Sequence, residues 1–245
     1  MSSYEKHTTY YIIRIVFYTF LFFLVVGIEQ YTDIDIWLQS FFYNHTTHSW
    51  SITTALHKGI LGRIVYRGYK DVLILSGVLS LCCLIYYTLR KEKIWLRIAL
   101  IKYLCALLLI PLLVALLKPI TNVYCPAQLD IFNGFAPYVR ILESYPAWFT
   151  QAHGRCFPAG HATSGFLFII VFYALQNTPY AMYKWYGLLL GMLLGFLTGI
   201  YQIARGEHFF THTLATMVIA FAISWAINEV VNTLYSTHSP SLRKQ

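Results

Sequence analysis

The sequence predicts an all-α integral membrane protein with six transmembrane helices and a folded non-cytoplasmic loop between spans three and four. Of its 245 residues, 58% are hydrophobic and only 11% are charged, which is too apolar for a soluble domain. Six apolar stretches approach the roughly 20 residues that a spanning helix needs. Because no repeat or low-complexity linker divides them, we predict one domain over 1–245, with a motif-bearing core at 118–216.

The apolar stretches cover 11–28, 72–88, 95–117, 162–175, 186–203 and 210–231. The first is interpreted as a retained span, because no small-residue cleavage site follows Gly27 and a cleaved signal peptide would need one. The fourth is short and needs residues from its flanks to cross a membrane.

The distribution of basic residues predicts the orientation, since cytoplasmic loops of membrane proteins are enriched in lysine and arginine. Basic residues precede the first span, crowd the connection between spans two and three and close the chain: Lys6, Arg90, Lys91, Lys93, Arg97, Arg243 and Lys244. Both termini of this multi-pass protein, and the connection between spans two and three, are therefore expected in the cytoplasm. The basic run 57–70 opposes this topology and is interpreted as an amphipathic helix lying on lipid.

The formal net charge of +8 raises the question of nucleic-acid binding. The basic residues sit at helix ends rather than in one patch, which favours a membrane surface and predicts no nucleic-acid partner. Cys125 and Cys156 lie outside the spans on the expected oxidising side, so a disulfide between them is a hypothesis.

Histidines mark two boundaries between polar loops and apolar helices. His208 and His212 are spaced i, i+4 on one helix face, and Arg205 joins them at i−3. Gly160 and His161 end a Pro-Ala-Gly-His turn whose free backbone N–H groups can bind an anion. With Lys118, all of these residues reach one membrane face in the predicted topology.

Two other interpretations of the histidine pair stay open. The pair can be a polar packing contact, or it can bind a metal, because His-x-x-x-His has zincin spacing. The zincin glutamate is missing, however, and Phe209 stands in its place. The metal interpretation is therefore the weaker one.

Three segments resemble the type 2 phosphatidic acid phosphatase superfamily, whose pattern is Lys-x6-Arg-Pro, Pro-Ser-Gly-His and Ser-Arg-x5-His-x3-Asp. Here the blocks run over 118–126, 158–161 and 201–212. The chain departs from the pattern at four positions: Cys125 for arginine, Ala159 for serine, Gln202 for arginine and His212 for aspartate. It resembles a divergent bacterial membrane branch with Cys-Pro, Phe-Pro-Ala-Gly-His and Arg-Gly-x-His-Phe-x-x-His motifs, in which Arg155 and Arg205 replace the lost arginines.

The resemblance implies phosphoester hydrolysis without a metal or other cofactor. His208 would be the nucleophile and form a phosphohistidine, while His161 would protonate the leaving oxygen and then activate water. His212 would hold the second nitrogen of His208. The phosphate would bind to positive charges and a turn glycine: Lys118, Arg155, Arg205 and Gly160.

The expected substrate is a lipid phosphate or diphosphate of the bilayer at the periplasmic face, and no protein partner is predicted. Candidate substrates are a lipid A phosphate, a polyprenyl diphosphate, phosphatidylglycerophosphate and phosphatidic acid. The alternatives are a lipid phosphotransferase using the same intermediate, a non-catalytic protein that binds or transports lipid phosphates, and a histidine-metal membrane enzyme.

Overall fold

The computed structural model describes residues 3–63 and 68–238, and the chain is about 70% helical. The helices, in chain order, are α1 (Ser3–Tyr31), α2 (Ile34–Ser40), α3 (Thr54–Lys58), α4 (Ile60–Gly62), α5 (Tyr69–Leu89), α6 (Ile94–Thr121), α7 (Thr163–Phe166), α8 (Ile169–Leu175), α9 (Lys184–Ile203) and α10 (Phe210–His238). Strands β1 (Tyr43–Asn44) and β2 (Ser49–Trp50) form a short antiparallel hairpin.

Five helices among the described residues are long and apolar enough to cross a membrane: His7–Tyr31, Tyr69–Leu89, Ile94–Gln128, Ala181–Ile203 and Phe210–Ser236. These correspond to five of the six predicted spans. The predicted fourth span is a shorter apolar segment, Thr163–Leu175. The count of six spans is therefore supported for five of them.

The fourth predicted span is short because the helix is interrupted between α7 and α8. The Thr163 and Ser164 hydroxyls donate to the carbonyls of Gly160 and His161, both at 2.6 Å. Phe168 N–H then donates to the Gly165 carbonyl three residues back. Hydroxyl-to-backbone bonds and this tighter turn compete with regular α-helix.

α10 is central to the bundle and packs against α1, α6, α8 and α9. Its small residues let the neighbouring helices come close. Ala220, for example, is fully buried in one cluster with Ala106, Ile110 and Phe166. α5 packs on α6 at the periphery, and many large apolar side chains on α1, α5 and α9 face outward, as expected in lipid.

α9 carries a ridge of glycines four residues apart: Gly187, Gly191, Gly195 and Gly199. A Cβ at Gly195 would lie 2.2 Å from the Phe166 ring, and one at Gly191 would lie 2.7 Å from the Ile169 backbone N. The missing side chains therefore allow α7 and α8 to lie directly against α9, as small residues do in membrane bundles.

The segment between α6 and α7 holds two short 3-10 turns, Pro126–Gln128 and Asp130–Phe132, and otherwise irregular backbone. Arg140 fixes this loop to the end of α1. Its Nη1 donates to the Glu29, Gln30 and Thr32 carbonyls at 2.8–3.1 Å, and its Nη2 bonds Asp33 at 2.6 Å. The loop is thus ordered against the first helix.

Some of the residues that predict the orientation lie outside the described part of the chain. Arg243 and Lys244, which contributed to the predicted orientation, lie there, as does 64–67 within the basic run 57–70. In the described part of that run, the short helices α3 and α4 replace the single amphipathic helix that we expected.

Candidate active site

The three motif segments converge at one end of the bundle. His161 follows the turn before α7, His208 precedes α10, and Nδ1 of His161 lies 3.5 Å from Nε2 of His208. Lys118, near the end of α6, reaches the same place: a Cβ at Gly160 would lie 3.0 Å from its Nζ. The structure therefore brings together two histidines and an ammonium that are up to 90 residues apart in sequence.

Backbone hydrogen bonds fix the turn that carries His161. Ala159 N–H donates to the His212 carbonyl at 3.1 Å, and the Thr216 hydroxyl donates to the Ala159 carbonyl at 2.9 Å. On the other side, the Thr121 hydroxyl donates to the Phe157 carbonyl at 2.8 Å. The turn is thereby tied to α6, which carries Lys118, and to α10, which carries His212 and follows His208.

Burial keeps both facing histidines neutral. His208 is 3% exposed, and burial lowers its pKa well below the usual range. A proton on His212, the Lys118 ammonium and a proton on His161 would each lower it further, while the Cys156 carbonyl opposes the shift. Burial also lowers the pKa of His161 to about 4, helped by the charges of Lys118, Arg205 and His57. Neutral rings provide the lone pair that a nucleophile needs.

Arg205 lies close enough to influence the pair but is held by its own neighbours. Its Nη1 donates to Gln202 Oε1 at 3.0 Å, and its Nη2 pairs with Glu207 Oε1 at 3.1 Å. Gln202, which stands where the superfamily pattern has arginine, thus orients the arginine that comes three residues later.

Arg155 occupies a different place from the one expected. Its side chain is exposed and lines a surface pocket with Cys125, Gln128 and His153. It is absent from the charged groups that shift the pKa of His161 or His208. The structure therefore does not join it to the histidine pair.

Cys125 and Cys156 form a disulfide, with the sulfurs 2.15 Å apart and the Cα atoms 5.1 Å apart. Their sulfurs also lie within 4.8 Å of a His208 ring nitrogen, an arrangement that three metal ligands could share. Metal binding by cysteine requires thiolates, which a disulfide does not offer. In this state the two cysteines form a covalent link beside the histidine pair.

The hydrogen bond expected from His208 to His212 is absent. The two ring centroids are 6.0 Å apart, and neither ring nitrogen of His212 has a hydrogen-bond partner among the described residues. The ring is fully buried and packs edge-on against Phe157 and Phe209, with centroids 5.2 and 5.4 Å away. The ring therefore packs against two aromatic side chains and does not bond to His208.

Sequence reasoning missed two residues of this region. His57 on α3 bonds the Tyr201 hydroxyl through Nδ1 at 2.8 Å, and its charge lowers the pKa of His161. The sequence instead predicts that its segment faces lipid. Nothing in the spacing along the chain predicts that residue 57 lies near residue 161.

The second missed residue, Asp35 on α2, is buried at the start of α10. Its carboxylate accepts from Thr211 N–H at 3.0 Å and from the Thr211 hydroxyl, which satisfies a free N–H group of the helix. Burial raises the pKa of Asp35 to about 6, although both bonds act the other way. In the sequence, the position of this acidic residue between Ile34 and Ile36 is the feature that indicates a buried role for it.

Comparison with known proteins agrees with this geometry. A sequence model of the PAP2 superfamily matches residues 99–236, more than half of the chain and all three motif segments. No curated protein and no solved structure matches the chain. On this match and on the convergence of Lys118, His161 and His208, the chain belongs to the PAP2 superfamily.

Proposed function

We propose that this protein is a membrane phosphatase that hydrolyses a lipid phosphate or diphosphate through a phosphohistidine, without a metal. Membership of the PAP2 superfamily indicates phosphatase activity, and the apolar helices indicate a membrane protein. The observation that carries the mechanism is the 3.5 Å contact between His161 and His208 beside Lys118.

In the first half-reaction, Nε2 of His208 attacks phosphorus and the bond from phosphorus to the leaving lipid oxygen breaks. His161 gives that oxygen a proton. In the second half, water attacks the phosphohistidine, His161 takes a proton from the water, and inorganic phosphate leaves. Both halves pass through a phosphoryl group with spread negative charge.

Fixed positive groups stabilise that charge. The end of the Lys118 side chain lies beside Gly160, where a Cβ would crowd it, and Arg205 lies close enough to shift the pKa of His161. Because the site is buried, these charges act in a low dielectric and need little rearrangement during the reaction. Gly160 lets the phosphate approach the turn backbone.

The proton on His161 depends on the substrate. In the free protein its pKa is about 4, so the ring is neutral near pH 7. A bound phosphate offsets the charges of Lys118 and Arg205, and this raises the pKa and lets His161 carry the proton that it donates.

The position of the site supports a lipid substrate. It lies where three apolar helices end, and the outer faces of the bundle carry exposed large apolar side chains suited to acyl or prenyl chains. We further propose that the site faces the periplasm of a bacterial inner membrane, with both termini in the cytoplasm. In this orientation the site can reach the four candidate lipids where they lie in the periplasmic leaflet.

The test is a phosphate-release screen of purified protein against those four lipids, in the presence of excess EDTA. We expect release from at least one lipid, no release by His208→Ala, and strong loss in His161→Ala. The matched control is His7→Ala, because His7 is an exposed histidine on α1. Activity that EDTA abolishes would contradict the metal-free mechanism.

A labelled substrate distinguishes the alternatives. Label trapped on the protein and absent from His208→Ala supports the intermediate, and label that then reaches a second lipid indicates a phosphotransferase. The near-complete burial of His208 favours this second function, since it restricts water. Binding of lipid phosphate without any turnover would instead support a non-catalytic protein, which the missing bond between the His212 and His208 rings favours.

A further inference from the structure

The second ring nitrogen of His208 faces the disulfide. Nδ1 lies 3.3 Å from Sγ of Cys156, while Nε2 on the other side faces His161. The carboxylate that the superfamily pattern has four residues after the nucleophile is missing here, and the ring of His212, which stands in its place, does not bond to His208. Cys156 is therefore the described group that contacts Nδ1.

The chemistry of a disulfide determines which atom donates in this contact. A bonded sulfur carries no proton and can only accept, so a hydrogen bond at 3.3 Å requires that His208 donates through Nδ1. The other nitrogen, Nε2, then keeps its lone pair. That tautomer is the nucleophilic one in the proposed mechanism.

A free thiol would behave differently. Its S–H has two acceptors within reach, the Glu207 carbonyl at 2.8 Å from Sγ and Nδ1 of His208 at 3.3 Å. Donation to Nδ1, the more basic of the two, would leave the proton on Nε2, where attack on phosphorus must occur. The Cys125 bond thus selects one of two tautomers by removing the proton of Cys156.

The position of Cys156 is fixed on two sides. Its N–H donates to the Val123 carbonyl at 2.8 Å, and its sulfur is bonded to Cys125, four residues after the end of α6. Cys156 is itself fully buried, so water does not compete for the contact. The Cys156 carbonyl further supports a proton on the ring, since it raises the pKa of His208.

We propose that the Cys125–Cys156 disulfide positions His208 as the nucleophile, with Cys156 taking the place of the superfamily's carboxylate. This inference rests on the proposed function. Cys156 is a positioning residue, because it acts through His208 and does not touch the substrate.

The kinetic test compares Cys125→Ala, which frees the Cys156 thiol, with the wild type on the lipid that the screen identifies. We expect kcat to fall roughly 10- to 100-fold, as for other lost orienting partners, with KM within about twofold. Reduction of the wild type should have the same effect. Cys82→Ala is the matched control and should keep full activity, because Cys82 is a free, exposed cysteine on α5.

A rescue experiment separates positioning from general stability. Adding His212→Asp to Cys125→Ala restores the superfamily's carboxylate and should recover at least about tenfold of the lost kcat, since a carboxylate also accepts from Nδ1. If the disulfide only stabilised the fold, His212→Asp would not recover kcat. Unchanged kcat in Cys125→Ala, or loss without rescue, would overturn the proposal.

Nitrogen NMR of ¹⁵N-histidine-labelled protein gives a readout that needs no turnover. The signals of His208, assigned by their loss in His208→Gln, should show a protonated Nδ1 in oxidised protein and a protonated Nε2 after reduction. If the wild type hydrolyses no lipid, the proposed function fails, and these signals still decide whether the disulfide sets the tautomer. An unchanged tautomer on reduction would refute it.

Discussion

At Gly160, the missing side chain is what allows the Lys118 ammonium to lie against the turn. A Cβ there would lie 3.0 Å from Nζ and 3.2 Å from Cε of this lysine. Since the obstructing atoms are the end of a flexible chain, an added methyl group would displace the charge rather than unfold the turn. Glycine at this position is therefore a requirement of the site.

We expect Gly160→Ala to lower kcat/KM about tenfold, because a displaced ammonium stabilises the phosphoryl charge less. Lys118→Met should lower it further. The double variant should be no worse than Lys118→Met alone, since the two changes act through one interaction. Additive losses in steady-state kinetics would contradict this coupling.

The pKa of His161 predicts how anion binding depends on pH. A bound phosphate raises this pKa from about 4, so binding takes up a proton. The affinity for inorganic phosphate should therefore fall as the pH rises above about 4, until the pH passes the pKa of the complex. Calorimetric titrations of wild type and His161→Ala isolate this contribution, because phosphate's own titration is common to both; identical pH profiles would contradict it.

The residues with distinctive chemistry could be identified from the sequence, but the side chains that contact them often could not. The spacing in the motif segments indicated Lys118, His161 and His208, and the structure joins them. The neighbours of His212 depend on how Phe157 and Phe209 pack, and no spacing reveals that. Likewise, His57 reaches Tyr201 across 144 residues.

Among the elements, α9 shows most directly how glycine spacing determines packing. Its ridge allows α7 to approach so closely that a Cβ at Gly195 would overlap the Phe166 ring. Because α7 directly follows His161, this contact also supports the turn that carries the proposed acid.

We expect Gly195→Ala to destabilise the protein by about 1–3 kcal/mol, the usual cost of overpacking. Gly27→Ala is the matched control, because nothing lies within 4 Å of a Cβ at Gly27 and alanine is the better helix former. Thermal unfolding in detergent compares the two variants. Equal melting temperatures would show that the ridge tolerates a side chain.

Composition predicted the long helices but not the interruption of the fourth apolar stretch. Average hydropathy does not distinguish a continuous helix from two short ones. The break depends on local backbone bonds, because the N–H groups of Phe168 and Ile170 donate to carbonyls three residues back. Hydropathy does not measure such a change in hydrogen-bond pattern.

For the whole molecule, the proposed orientation has a direct test. α6 contains 28 residues, or about 42 Å at the usual helical rise, so its two ends can lie on opposite sides of a bilayer. In a variant without Cys82, Cys83 and Cys105, single cysteines at the exposed positions Glu92 and Leu142 should differ in labelling. An impermeant maleimide added to intact spheroplasts should label position 142 and leave position 92 unlabelled.

The opposite labelling pattern would show that the protein has the reverse orientation, with the histidine pair on the cytoplasmic side. The fold itself would be unaffected, since the same helix contacts hold in either orientation. The charge pattern of the sequence predicts the direction of insertion, whereas packing predicts which side chains meet.

The bond from Asp35 to Thr211 has a consequence for how the chain can be divided. The superfamily match begins at residue 99, yet the start of α10 is satisfied by a carboxylate from residue 35. A fragment limited to 99–236 would leave buried donors unpaired at the helix that follows His208. The match therefore does not include every residue that helps to hold the start of α10, and we expect the segment 99–236 alone to be less stable than the whole chain.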